Sequence, residues 1–146
     1  MPKVKKSLHL FCDGACRGNP GPAGIGGVVK DVSGENLLKF SESIGVATNN
    51  IAEYKALIFG LMSIEKISGE KEVKVFSDSE LMVKQLNGYY KVKEPTLLLL
   101  LQEVIRLKNK FKKFEISHIS RSKNKEADFL ANQSFKDKNN GVQDLF

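Results

Sequence analysis

The sequence has little of what marks several protein classes. Only two cysteines, Cys12 and Cys16, occur in 146 residues, and no second pair accompanies them. A structural zinc site with four cysteine or histidine ligands is therefore not expected, and in a reducing compartment both side chains should remain thiols. No apolar run has the length of a membrane span, since the leucine run at 97–101 is far too short. We therefore expect no membrane partner.

Targeting and linker features are also missing. The basic N-terminus is followed by no apolar segment and cleavage site of the signal-peptide type, so we expect a cytoplasmic protein. No internal repeat or interdomain linker interrupts the sequence. We therefore predict one domain over residues 1–136 and a flexible polar tail over 137–146, in a monomeric protein.

Positive charge is in excess. The formal net charge is +6, which suits a polyanionic partner without establishing one. The positive side chains cluster in two places, around 108–113 and at Arg121, Lys123 and Lys125. A solvated helix face explains the first cluster equally well.

Hydrophobic periodicity predicts a mixed α/β domain in the order βββαβααβα. Alternating and short apolar runs predict strands at 7–13, 25–30, 37–46, 72–77 and 114–119. Helical spacing predicts a long helix up to about 67, then helices at 79–86, 95–111 and 124–135, with Leu98 and Ile105 facing inward. The stretch 17–24 is dense in glycine and proline and predicts a turn. Three antiparallel strands and two later parallel strands would form a five-stranded sheet flanked by helices.

Four acidic residues fall at the ends of predicted elements: Asp13, Glu53, Asp78 and Asp128. Each also has a purely structural explanation. Asp13 precedes Gly14 and fits a turn. Glu53, in the first turn of the long helix, fits a capping box with Asn50, and Asp78 fits an N-cap. Asp128, in the first turn of the last helix with Glu126, complements a helix dipole.

Taken together, the four acids indicate a cation site. If the first and fourth strands are neighbours, Asp13 and Asp78 emerge at one sheet edge, where α/β proteins bind ligands. Four converging carboxylates repel one another unless cations bind, and oxygen ligands of this kind suit Mg²⁺ or Mn²⁺. Two such ions are a known device for displacement at phosphorus. The residues alone thus predict a metal-dependent phosphodiesterase.

Four ordered motifs resemble those of the ribonuclease H type 1 family, in a single-domain form. The motifs are Asp-Gly-Ala-Cys-Arg-Gly-Asn-Pro-Gly-Pro-Ala-Gly from Asp13, Thr-Asn-Asn-Ile-Ala-Glu-Tyr-Lys-Ala-Leu from Thr48, Ser77-Asp78-Ser79, and the segment from His118 to Asn132. The resemblance spans about residues 7–135, and four motifs at consistent spacing are highly specific.

The resemblance implies cleavage of the RNA strand of RNA–DNA hybrids, giving 5′-phosphate and 3′-hydroxyl ends with two Mg²⁺ ions, for which Mn²⁺ can substitute. Asp13 would bridge both ions, Asp128 would complete the water-activating site, and Glu53 and Asp78 would hold the second ion. His118 would assist proton transfer or product release. Without the motif, His118 is equally a surface group at a strand end.

The resemblance also implies how the hybrid would be bound. Recognition of the RNA 2′-hydroxyl would fall to Asn19, Asn49, Asn50, Glu53 and nearby backbone, and Thr48 and Asn19 would help to hold a DNA phosphate. Further substrate contacts are expected at Gly14, Ala15, Ser79, Lys91 and Lys93. Asn49 and Asn50 could instead be ordinary helix-start residues, and the loop bearing the two lysines could be merely solvated.

Departures from the family pattern bear on binding. Ser120 stands where many members have proline, and no long basic insertion separates the helices that end near Leu86 and begin at Pro95. Weaker substrate binding and low processivity are therefore expected, also because no hybrid-binding domain precedes the motifs.

The final residues pose a separate question. They resemble the short peptides that bacterial proteins insert into a sliding clamp, although a frayed terminus or a packing strand would explain them equally: Val142, Gln143, Asp144, Leu145 and Phe146.

Two other functions stay open at this stage. A catalytically idle or weak nucleic-acid-binding module on the same fold should lack one or more of the four acids. A related metal nuclease of double-stranded RNA or DNA junctions would have no use for the asparagines that read hybrid geometry.

Overall fold

The computed structural model describes residues 5–67 and 69–139, which contain five strands and four α-helices. The strands are β1 (Lys5–Cys16), β2 (Gly21–Asp31), β3 (Asn36–Ala47), β4 (Glu70–Ser77) and β5 (Lys113–His118). The helices are α1 (Asn49–Glu65), α2 (Glu80–Leu86), α3 (Pro95–Lys108) and α4 (Lys125–Asn139), and a 3-10 turn at Arg121–Lys123 precedes α4. The predicted βββαβααβα order is confirmed.

One mixed sheet has the strand order β3-β2-β1-β4-β5. β1, β2 and β3 pair antiparallel, while β4 pairs parallel with β1 and β5 pairs parallel with β4. The two parallel connections run through helices, as parallel neighbours require. β1 and β4 are therefore central neighbours, and their carboxyl ends open at the same edge of the sheet.

The main core lies between the sheet and the pair formed by α1 and α3. Leu8 and Leu10 of β1 and Val75 of β4 are almost fully buried there, against Leu57 and Leu61 of α1. Burying side chains of this size contributes about 1.5–3 kcal/mol each. This packing fixes α1 across the end of β1.

Helix α4 covers the opposite face of β1, β2 and β3 at very short range. A Cβ atom added to Gly24 would stand 2.7 Å from the Ala131 carbonyl oxygen, and one added to Gly26 would stand 2.6 Å from that of Ala127. Only glycine lets the two backbones approach this closely. The close fit brings the first turn of α4 down to the end of β1.

This close packing also corrects one prediction. The stretch 17–24 was expected to be a turn throughout, but β2 already begins at Gly21, and Gly24 pairs with Ala15 of β1. The turn is confined to residues 17–20. Glycines that would weaken an isolated strand are here required by the helix packed above them.

Two predicted core residues of α3 are exposed instead. Leu98 and Ile105 are 39% and 41% exposed, whereas Leu97, Val104 and Leu107 are buried. The leucine run at 97–101 makes the first turns of α3 apolar on all sides, so the sequence pattern does not indicate which side faces the core.

The predicted domain end lies inside a helix. α4 extends to Asn139, so the proposed boundary at residue 136 does not coincide with the end of regular structure. The proposed clamp-binding residues lie outside the described residues, and that prediction is untested. Among the described residues, no helix is long and apolar enough to cross a membrane.

Candidate active site

Asp13 lies where the parallel part of the sheet ends. Its strand β1 pairs with β4 only as far as Phe11 opposite Phe76, but β1 continues beside β2, where Asp13 is opposite Gly26. Asp13 is therefore a strand residue and not the turn residue that the Asp-Gly pair alternatively indicated. Its side chain is only 2% exposed, which makes an unpaired charge costly there.

Glu53 reaches the same position from α1. The helix begins at Asn49, so Glu53 is its fifth residue and lies in the second turn rather than the first. The N-cap is Thr48, whose Oγ1 accepts a 3.2 Å hydrogen bond from Ile51 N. A capping box with Asn50 is therefore wrong, and Glu53 Oε1 instead accepts a 2.6 Å bond from Gly14 N.

Asp78 follows β4 directly and carries an unsatisfied oxygen. The N-cap of α2 is Ser79, whose Oγ accepts from Met82 N at 3.3 Å, so the N-cap interpretation of Asp78 is wrong. Ser79 N donates to Ser77 Oγ at 3.0 Å, which shapes the bend between strand and helix. Asp78 Oδ2 is buried and has no hydrogen-bond partner among the described residues. A buried carboxylate oxygen in this state favours a cation.

Asp128 lies in the first turn of α4, close enough to Asp13 for its side chain to raise the Asp13 pKa, although it is not one of the three acids whose oxygens lie within 4.8 Å of one another. Asn124 Nδ2 donates a buried 3.0 Å bond to the Cys12 carbonyl, and Asp128 N donates to Asn124 O at 3.1 Å. These bonds tie the start of α4 to the end of β1. One helical turn later, Asn132 Nδ2 donates to both Asp128 O and Asp128 Oδ1.

Asp13 and Glu53 resist ionisation in this cluster. Burial, with the charges of Glu53 and Asp78, raises the pKa of Asp13 to about 10 from 3.8. Burial also raises the pKa of Glu53 to about 7 from 4.5, although hydrogen bonds from Asp13 and Gly14 oppose the shift. These are the shifts expected when acids share a desolvated site.

The pKa of the Cys12 thiol is also affected by the acidic residues of the site. Cys12 is fully buried one residue before Asp13, and burial raises the pKa of its thiol well above the ordinary value. The nearby charges of Glu53, Asp13 and Asp78 raise that pKa further. The thiol is therefore a buried apolar neighbour of the site and not a nucleophile.

The donor set fits a divalent cation. Oxygens of Asp13, Glu53 and Asp78 all lie within 4.8 Å of one another. All are hard carboxylate donors of the kind that Mg²⁺ and Mn²⁺ take, and Asp78 also has a buried oxygen, Oδ2, with no hydrogen-bond partner among the described residues. Burial and the charges of neighbouring acids raise the pKa values of Asp13 and Glu53, and a bound cation would oppose both effects.

His118 and Arg121 stand at the same edge of the sheet. His118 ends β5 directly opposite Ser77, one residue before Asp78, and its side chain is exposed. Arg121, in the 3-10 turn that follows, lies close enough for its charge to lower the pKa of Glu53. An exposed imidazole and a cation therefore lie beside the carboxyl cluster.

The predicted hybrid-binding residues lie on one side of the carboxyl cluster. Asn19 Oδ1 accepts a 3.0 Å bond from Asn49 N, which joins the turn after β1 to the start of α1. Asn19, Thr48 and Asn50 line a groove of about 460 Å³ together with Ile51, Glu94 and Leu97. Polar groups and a helix N-terminus thus converge there, as they do in anion-binding sites.

The remaining predicted contacts are spread around the site. Gly14 N donates its hydrogen bond to Glu53 Oε1, and Ala15 pairs with Gly24 inside the sheet. Lys91 and Lys93 are exposed in the irregular segment between α2 and α3. Near them, the Lys84 ammonium lies 5.2 Å from the centre of the Tyr90 ring.

The first lysine cluster does not belong to this site. Lys110, Lys112 and Lys113 pair with Glu65, Glu70 and Glu115 at 2.6, 3.2 and 3.4 Å. They surround the beginnings of β4 and β5, at the edge of the sheet opposite the carboxyls. The solvated-surface interpretation holds for this cluster, because its charge is largely compensated.

The sequence analysis predicted no function at the site for three residues that lie there: Arg121, Asn124 and Asn132. The Asn124 bond to Cys12 joins positions 112 residues apart, which no local pattern reveals. Asn132 could have been found, since residues four apart share a helix face and Asn132 follows Asp128 by four.

Comparison with known proteins agrees with this geometry. A family profile described as "Reverse transcriptase-like" matches residues 11–134. The bifunctional protein Rv2228c of Mycobacterium tuberculosis is 44% identical over 126 residues, which are 86% of this chain and 34% of that protein. Ribonuclease HI of Halobacterium salinarum is 38% identical over 130 residues, which are 89% of this chain and 65% of that protein. The chain thus spans about a third of the first relative and about two thirds of the second.

Solved structures match over nearly their whole length. The crystal structure of RNase H1 from Halobacterium salinarum has a TM-score of 0.87 and 37% identity, covering 90% of this chain and 98% of that one. LC11-RNase H1, solved in complex with an RNA/DNA hybrid, has a TM-score of 0.84 and 42% identity, with coverage of 90% and 98%.

Proposed function

The chain belongs to the ribonuclease H type 1 family, and from this premise we propose that it is an endonuclease that hydrolyses the RNA strand of RNA–DNA hybrids. The products would carry 5′-phosphate and 3′-hydroxyl ends. One observation carries the proposal: carboxyl oxygens from β1, from α1 and from the residue that follows β4 lie within 4.8 Å of one another, and the pKa of Asp13 is raised to about 10 by burial and by the neighbouring charges.

Divalent ions would be held by Asp13, Glu53, Asp78 and Asp128. Mg²⁺ is the proposed ion, with two ions per site and Mn²⁺ as a substitute, because the donors are hard carboxylate oxygens: those of Asp13, Glu53 and Asp78 lie together, and Asp128 is close to Asp13. When bound, such ions supply positive charge that offsets the negative charge developing on the phosphate. The raised pKa of Asp13 means that ion binding must displace protons from the cluster.

The chain's own groups would orient the phosphate and move protons. His118 is exposed at the end of β5, beside Ser77, the residue that precedes Asp78. Its imidazole could therefore contact both solvent and the cleaved RNA strand as the product leaves. Its role would be proton transfer or assistance to product release. Arg121 adds a cation on the Glu53 side, where a phosphate would otherwise meet only carboxylates.

Substrate selection would rest on the groove beside α1. Asn19, Thr48 and Asn50 line it, and Asn49 is fixed to Asn19 through its main chain. Thr48 and Asn19 would hold a phosphate of the DNA strand, while Asn49, Asn50 and Glu53 would read the RNA 2′-hydroxyl. Ser79 and the main chain at Gly14 and Ala15 would contact the RNA strand, and Lys91 and Lys93 would contact the hybrid backbone.

The test is cleavage of matched duplexes. A hybrid labelled on each strand, an RNA duplex and a DNA duplex of one sequence are incubated with the protein and Mg²⁺. Cleavage confined to the RNA strand of the hybrid is expected, and Asp13→Asn should abolish it while circular dichroism stays unchanged. Equal cutting of the RNA duplex would favour a broader nuclease, and binding without cutting would favour an idle module.

A further inference from the structure

We infer that Asn132 is a positioning residue for the reaction, because its side-chain amide fixes the Asp128 carboxylate against Asp13. This inference rests on the proposed function of the site. The Asn132 Nδ2 atom donates at 2.9 Å to the Asp128 carbonyl oxygen and at 3.2 Å to Asp128 Oδ1. Both acceptors lack hydrogen atoms, so only the amide nitrogen can face them.

The two bonds act on different parts of one residue. The bond to the carbonyl oxygen fixes the main chain in the first turn of α4, and the bond to Oδ1 fixes the rotation of the carboxylate. Asp128 depends on such support more than Asp13 and Glu53 do. Asp13 lies within a strand and Glu53 is held by Gly14 N, whereas Asp128 is half-buried in the first turn of a helix.

The amide also limits which Asp128 oxygen is free. Oδ1 accepts the bond from Asn132, so Oδ2 is the carboxylate oxygen that this bond leaves open to a cation. A metal ligand held by a hydrogen bond from a neighbouring residue binds its ion more tightly, typically by 10–100-fold. The contribution of Asn132 should therefore be seen in metal affinity and in turnover, but not in hybrid binding.

Asparagine is a poor helix former, and its presence within α4 has no packing explanation, because the side chain is exposed. Ordinary helix propensity would favour alanine at this exposed position. A residue that costs helix stability but holds a carboxylate in place fits a functional requirement better than a structural one.

The experiment compares Asn132→Ala, Asn132→Asp and the matched control Gln133→Ala, which changes the next residue of the same helix. Mg²⁺ and Mn²⁺ affinities are measured by calorimetry without nucleic acid, and kcat and KM are measured on a hybrid. Asn132→Ala should weaken metal binding and lower kcat about tenfold each, with KM within twofold of wild type and an unchanged or higher Tm. Asn132→Asp should bind hybrid normally but lose more turnover, because a carboxylate cannot donate to Oδ1.

Each outcome separates the inference from the function. Wild-type protein that neither binds divalent ions nor cuts hybrid would end the proposed function. Wild-type protein that does both, with Asn132→Ala indistinguishable from Gln133→Ala in metal affinity and kcat, would overturn the role of Asn132 alone. A fall in Tm that accounts for the whole loss of activity would make Asn132 structural and also overturn the inference.

Discussion

The main-chain N–H of Gly14 donates a 2.6 Å hydrogen bond to Oε1 of Glu53, joining the end of β1 to the second turn of α1. The two backbones are nearly in contact there. A Cβ atom on residue 14 would stand 2.6 Å from Glu53 N and 2.7 Å from Ala52 O. The glycine thus sets both the helix position and the direction of the Glu53 carboxylate.

Replacing Gly14 by alanine should therefore damage the site and the fold together. The added methyl group meets main-chain atoms that cannot move aside, so α1 must shift away from β1 and the bond to Glu53 must lengthen. We expect a loss of about 2 kcal/mol or more in unfolding free energy, measured by urea denaturation, and loss of hybrid cleavage.

The control for this prediction is Gly34→Asn. A Cβ atom there has nothing within 4 Å, and asparagine tolerates the positive φ of that hairpin better than other residues. A Gly14→Ala protein as stable and active as this control would contradict the close approach described above.

Asp13→Asn should make the metal-free protein more stable at neutral pH. The pKa of Asp13 is raised in the folded state, so the unfolded chain releases this proton first, and stability falls as pH rises above about 4. The variant removes this penalty. Its advantage in unfolding free energy, measured by urea denaturation with EDTA present, should be on the order of a few kcal/mol at pH 7 and vanish near pH 4.

Asp31→Asn supplies a control of opposite sign. Asp31 is exposed in the β2–β3 hairpin, and bonds from Ser33 and Glu35 lower its pKa. A lowered pKa gives stability above the unfolded pKa that is lost as pH falls, so this variant should gain nothing at pH 7. If both variants gained equally, mutual repulsion among the clustered acids would not be the cause.

The central arrangement of the site was accessible from the sequence because simple rules fix it. Parallel neighbours end at the same edge of a sheet, so a pairing of β1 with β4 brings Asp13 and Asp78 together. The sequence supported this pairing as a hypothesis, and the strand order confirms it. What could not be predicted depends on contacts between distant segments. Gly24 and Gly26 lie in β2 directly beneath the backbone of α4, and Asn124 bonds to Cys12 across 112 residues.

Capping was predicted less well, for a local reason. Thr48 and Asn50 are both residue types that favour the N-cap position, here of α1, and the same holds for Asp78 and Ser79 before α2. In each case the hydroxyl residue caps the helix. The carboxylates are thereby left free for the site, which propensity alone does not reveal.

Divalent ions should stabilise the protein against heat, and chelation should reverse the effect. An ion that binds only the folded state adds about 2.7 kcal/mol at a concentration 100 times its dissociation constant. We expect Mg²⁺ and Mn²⁺ to raise the Tm of the wild type in calorimetry and EDTA to restore the original value. Asp78→Asn should reduce this shift strongly, because it replaces the buried, unsatisfied carboxylate.

Arg121→Ala should raise the pKa of Glu53 further. The guanidinium lowers that pKa in the folded protein, and its removal leaves only the hydrogen bonds from Asp13 and Gly14 to oppose burial and the charge of Asp78. In metal-free protein, ¹³C NMR titration of the Glu53 carboxyl should show its midpoint shifted to higher pH.

Lys123→Ala, at the other end of the same 3-10 turn, is the control, since the charge of Lys123 is not among the main causes of the Glu53 shift. An unchanged midpoint in Arg121→Ala, or an equal shift in both variants, would show that no specific pairing between Arg121 and Glu53 exists. In the proposed reaction the same substitution should narrow the active pH range from its acid side, because Glu53 must be ionised to hold a cation.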